Sequence, residues 1–119
     1  AAYPYETQLM ASARRIALSA GRTEWQLVYQ SRSGRPGDPW LEPDVGDFLR
    51  AASIRSAILC PVGFLCDHVE VLYDLDIEAR KIAEALNVRF VRASCPNDHP
   101  AFVQMIAEVI EAKIRAKDR

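Results

Sequence analysis

Two short apolar runs, SAILCPV at 56–62 and VRFVRAS at 88–94, flank a stretch with helical spacing. This is the most restrictive feature of the chain, because strands joined through a helix run parallel, and parallel sheets are covered by helices. WQLVYQS at 25–31 is aromatic and β-branched enough to be a further strand. Leu9, Ala13, Ile16, Ala17 and Ala20 predict a helix over 6–20 that stops at Gly21. Asp44 is placed to cap a short helix reaching Ala52, with Phe48 and Leu49 facing inward. Pro100 suits the first turn of a last helix whose buried stripe is Phe102, Val103, Ile106, Val109, Ile110 and Ile114. The order α-β-α-β-α-β-α predicts an α/β fold, a three-layer parallel sheet with helices on both faces.

In such a sheet the functional loops lie at the carboxyl ends of the strands. They are SRSGRPGDPW, GFLCDH and SCPNDH. No GxGxxG or phosphate-loop pattern is present to support nucleotide binding. The 119 residues suit one domain, and a formal charge of −1 speaks against nucleic acid as a partner. The longest apolar run, broken by Pro61 and Gly63, is too short for a transmembrane segment, and the first residues do not read as a signal peptide. Cys60, Cys66 and Cys95 form an odd set with no CxxC pair, which points to a reducing cytoplasm rather than to disulfides or structural zinc. Cys66 reads as a small buried apolar residue.

The helix between the last two strands carries Glu70, Asp74 and Glu78 in steps of four, with Asp67 and His68 where the strand hands over to it. Like charges at i,i+4 repel, so the column needs an explanation. A solvated face balanced by Arg80 and Lys81 is one reading. The other is a cation site at the mouth of the sheet, where carboxylates suit hard divalent ions and an imidazole suits iron or zinc. His68 fits a hydrogen-bonded structural role as well as a catalytic one. Trp40 offers an aromatic surface in a neighbouring loop.

YQSRSGRPGDPWLEPDV followed by CPVGFLCDHVEVLYDLDIEA strongly resembles the carboxyl-terminal half of ferrochelatases, which insert ferrous iron into a porphyrin. YPYETQLMASARRIA resembles the family's helix leading into that half, and FVRASCPNDHPAFVQMIAEVI its closing strand and helix. The resemblance covers nearly the whole chain and implies one half of a two-domain chelatase fold, with the first domain and its SAHS-like histidine segment preceding Ala1.

It also implies roles. Glu70 handles protons or delivers metal in the porphyrin cleft with His68 beside it, and Asp74 and Glu78 continue outward as an acidic relay. Trp40 lies near the macrocycle, and Gln30, Ser31 and Arg32 border the cleft. Porphyrin, either protoporphyrin IX or coproporphyrin III, and Fe2+ are substrates. No redox cofactor is required, and Mg2+ or another divalent ion is expected at the acidic face. No cysteine cluster supports an iron–sulfur centre. The isolated half is expected to be inactive and to self-associate through an exposed apolar patch. A chelatase for another tetrapyrrole or for cobalt, and a non-catalytic metal-binding domain, are the alternatives.

Overall fold

In the computed structural model, residues 4–30, 37, 39 and 41–118 are described. Ser31, Arg32 and Trp40, and most of the loop SRSGRPGDPW, lie outside them. Helix α1 (Tyr5–Ser19) ends at the expected place for a local reason. Gly21 adopts φ +66°, its amide donates to Leu18 O at 3.0 Å, and the Arg22 amide donates to Ala17 O at 2.8 Å. This paired closure of the last carbonyls needs a left-handed residue, which glycine supplies without a Cβ penalty. Helix α2 (Val45–Ala51) begins at Asp44, whose Oδ1 accepts from the amides of Gly46 and Asp47 at 2.8 and 3.3 Å.

Strands β1 (Ser56–Leu59) and β2 (Arg89–Arg92) pair in parallel, Ser56 opposite Arg89 and Leu59 opposite Arg92. Between them runs one continuous helix in three parts: α3 (Val69–Val71), a π-helical segment (Leu72–Ala79) and α4 (Arg80–Ala85). The wide turn shows where the Arg80 amide reaches back five residues to Leu75 O. Its cause is legible in the side chains. Val71, Leu75, Ala79 and Ala83 recur every four residues and are 0, 2, 1 and 0% exposed. An α-helix of 3.6 residues per turn advances about 40° per four-residue step, so three steps would swing Ala83 about 120° away from Val71. The π segment removes that drift and keeps the whole column against Val45, Leu49, Val88 and Cys95. The regular α-helix assumed for the acidic column is therefore corrected.

Asn87, at φ +59°, closes α4 as Gly21 closes α1, with the Val88 amide on Ala83 O at 2.8 Å. Val88 is thereby turned into the core and the chain enters β2. The molecule is thus mixed α/β with a small parallel sheet.

Three expectations differ from what is seen. Residues 25–30 form no regular strand; Tyr29 alone bridges Asp44, through the Tyr29 amide on Pro43 O and the Val45 amide on Tyr29 O, both 2.9 Å. Among the described residues, backbone pairing of this segment is confined to that one bridge. The sheet is covered on one face, towards Ala57, Leu59 and Phe90, while Ile58 and Val91 on the other are 69 and 51% exposed. Helix α5 (Pro100–Lys117) starts as expected with Pro100 in its first turn, but it buries no residue. Val103, Ile106, Val109, Ile110 and Ile114 are all exposed and Phe102 only half-buried, because no described helix or strand packs extensively along that stripe. The Cα radius of gyration is accordingly 16.9 Å, against about 13.5 Å for a compact chain of this length. No helix among the described residues is long and apolar enough to cross a membrane.

Candidate functional site

The loop leaving β1 turns at Pro61, and the next helix starts at His68. His68 is its N-cap: Nδ1 accepts the Val71 amide at 3.3 Å, and the ring meets Phe64 edge-on with centroids 4.8 Å apart. An Nδ1 that accepts a backbone hydrogen bond leaves Nε2 to carry the proton of the neutral ring. The capped imidazole is consequently a donor at its free nitrogen.

Glu70 follows in the first turn and is exposed, Asp74 is half-buried, and Glu78 is exposed. Asp74 and Glu78 border an open cleft of about 390 Å³, together with Gln30, Asp44, Arg50 and Tyr73. Gln30 Nε2 donates to Asp74 Oδ2 at 3.5 Å. Tyr73 has its phenol pushed above the usual range, first by a hydrogen bond to Glu78 and then by that carboxylate's charge. The two residues are five apart, the repeat of a π turn. Glu70 and His68 are not part of this cleft's lining. The three carboxylates line up along the helix rather than meeting at one point. Among the described residues, no three His, Cys, Asp or Glu side chains converge to hold a metal ion.

Beside the column lies a polar cluster that sequence reasoning missed. Arg92, at the end of β2 and with its side chain 9% exposed, grips Asp76 by two bonds, Nε to Oδ1 at 2.5 Å and Nη2 to Oδ2 at 2.8 Å. Its Nη1 also donates to Asp67 Oδ1 at 2.7 Å. Asp67 further accepts from Asn97 Nδ2 at 2.9 Å and from the Cys95 amide at 3.1 Å, and its own amide donates to Asn97 Oδ1 at 2.8 Å. These donors hold the Asp67 carboxyl far below the usual carboxylate range, Asn97 first, then the Cys95 amide, with Arg92 adding to them. Arg92 lowers Asp76 in the same way, and the two aspartates, Asp76 foremost, raise Arg92. A signal was available: Arg92 occupies an inward position of β2, where an arginine needs acidic partners.

Cys66, expected to be buried, is exposed, because it lies on the turn beyond strand alternation. Cys95 is the buried thiol, its pKa pushed up to about 11 by burial and by Asp67. Arg80 sets its guanidinium 5.2 Å over the Phe90 ring and donates to Phe90 O at 3.5 Å, and its charge helps to hold the Asp76 carboxyl low.

Fold and site together define an α/β domain whose charged groups gather at the carboxyl ends of a parallel strand pair, where ligands of this class bind. The ferrochelatase family model matches residues 1–114, and the chain belongs to the ferrochelatase family. It is 44% identical over 114 residues to a ferrochelatase of Rhodopirellula baltica, covering 92% of this chain and 32% of that protein. Coproporphyrin III ferrochelatases of Mycolicibacterium smegmatis and Mycolicibacterium paratuberculosis are 46 and 47% identical over 110 residues, covering 90% of this chain and 32 and 33% of theirs. The chain spans about a third of the length of these relatives.

Proposed function

We propose that this chain is the carboxyl-terminal domain of an enzyme that inserts Fe2+ into a porphyrin in haem biosynthesis. The observation that carries this reading is the run of Glu70, Asp74 and Glu78 along one helix rising from the His68 cap, in a chain of this family. In the reaction two pyrrole N–H bonds break, two protons leave and iron takes their place without changing oxidation state. No redox cofactor is required. A carboxylate close to the ring accepts protons. Glu70 fills that role better than His68, whose Nδ1 is engaged by the Val71 amide.

Asp74 and Glu78 hand hydrated iron inward, their open spacing favouring weak binding and release, and Mg2+ or another divalent ion can occupy the same face. The family resemblance assigns Gln30, Ser31 and Arg32 to the border of the cleft and Trp40 to the neighbourhood of the macrocycle. A first domain supplies the opposite wall of the cleft and completes a two-domain fold in which a three-layer sheet covers Ile58 and Val91. The stripe on α5 is covered in the whole protein and self-associates in the isolated chain. The names of two relatives support coproporphyrin III over protoporphyrin IX, and the three free thiols suit a cytoplasmic setting.

Anaerobic incubation of the whole protein with ferrous iron and each porphyrin tests the reading. Metallation faster with coproporphyrin III is expected. Cobalt insertion without iron insertion would favour a cobalt chelatase, and divalent binding with no turnover a non-catalytic domain.

A further inference from the structure

Arg92 touches neither the acidic column nor the cleft, yet it holds the column from two sides. Its fork on Asp76 fixes the π segment midway between Asp74 and Glu78. Its third contact pins Asp67, the residue before the His68 cap and three before Glu70. A planar guanidinium can serve two carboxylates at once, which a point-charge ammonium cannot reproduce. The partners bracket the proposed proton acceptor along the chain, and the strand end supplies the rigid base.

We infer that Arg92 is a positioning residue for iron insertion, holding Glu70 and the acidic column in register through Asp67 and Asp76. This rests on the function proposed above. The clamp explains why Asp76, off the four-residue column, is acidic at all. It also explains how a wide helical turn, with poorer backbone geometry than an α turn, keeps one winding.

The test has two arms, so that the clamp and the enzyme reading can fail separately. In this chain, without metal or porphyrin, amide exchange is followed in Arg92→Leu and Arg92→Lys. The Asp67 and Val71 amides should lose protection by about tenfold or more in Arg92→Leu while the Leu86 amide stays within about twofold. Unchanged protection of Asp67 and Val71 overturns the inference. In the whole protein, at a temperature where circular dichroism shows the variants folded, Arg92→Leu should lower kcat by about 10- to 100-fold with KM for coproporphyrin III within about twofold. Arg92→Lys should recover part of the loss. On a Glu70→Gln background the Arg92→Leu loss should nearly vanish, because the arginine acts through that carboxylate. A full, additive loss on that background would make Arg92 merely structural and sink the positioning role. A parent protein that metallates no porphyrin would remove the ferrochelatase reading and with it the catalytic role of Arg92, leaving the exchange arm to decide the clamp alone.

Discussion

Substituting the same residue at two sites in α4 tests the π winding. Ala83 is 0% exposed, enclosed with Ala79, Leu75 and Val71 against the strands, whereas Ala85, two residues on, faces solvent. Alanine and leucine are both strong helix formers, so Ala→Leu isolates packing. At Ala83 the added branch has no free volume, and overpacking of this kind costs about 1–3 kcal/mol. Full enclosure places the expectation near the top of that range, about 2–3 kcal/mol. At roughly 4 °C per kcal/mol for a domain of this size, Tm should fall by about 8–12 °C. Ala85→Leu should stay within about 0.5 kcal/mol. Thermal and urea unfolding followed by circular dichroism give both numbers. If the segment were wound as a regular α-helix, Ala83 would rotate about 120° away from Val71 while Ala85 came within about 40° of it, so the order of costs would reverse; a cost at Ala85 equal to or above that at Ala83 would refute the four-residue column.

Acid should weaken the fold through the Arg92 cluster. Asp67 and Asp76 have folded pKa values below the unfolded value of about 3.9, so their contribution is complete above that pH and lost as pH falls through the folded values. The urea midpoint should fall as pH drops below about 4, less steeply in Asp76→Asn; an unaltered slope in that variant contradicts the assignment. Asp44→Ala removes the acceptor for two amides of α2 and should cost about 1 kcal/mol in the same assay, no change meaning that the cap is not formed in solution. Calorimetric titration with Mn2+ should show weak binding that shrinks in Asp74→Asn and Glu78→Gln, whereas identical heats return these acids to a solvated face.

The termini of the helices were legible because they depend on a few neighbouring atoms: Gly21 and Asp44 act within their own turns, and Pro100 needs only a first turn. The strands 56–59 and 89–92 were legible from their apolar, β-branched runs. What failed depended on partners distant in sequence. The stripe on α5 reads as buried by spacing, but burial requires a covering surface, and none among the described residues lies along it. The strand at 25–31 failed for the same reason, one bridge being its backbone pairing among the described residues. The π segment was half legible, since a strict four-residue repeat in both the acids and the core already demands more than 3.6 residues per turn. The Arg92 cluster joins residues 16 and 25 apart: the inward position of Arg92 on β2 signals a need for acidic partners, but not which ones. Glu70, Asp74 and Glu78 were found on one helix, as the column requires, whereas Ser31, Arg32 and Trp40 lie outside the described residues.

In the proposed reaction Glu70 accepts the protons iron displaces while Asp74 and Glu78 supply the metal. Steady-state kinetics of Glu70→Gln in the whole protein, with iron and coproporphyrin III varied in turn, tests it most directly. Glutamine keeps the shape of the side chain and removes its basicity, so kcat should fall by about 100-fold or more with porphyrin binding intact. Asp74→Asn and Glu78→Gln should instead raise KM for iron. Normal turnover by Glu70→Gln, with activity abolished in a folded His68→Ala variant, would give the proton to the histidine and contradict the account.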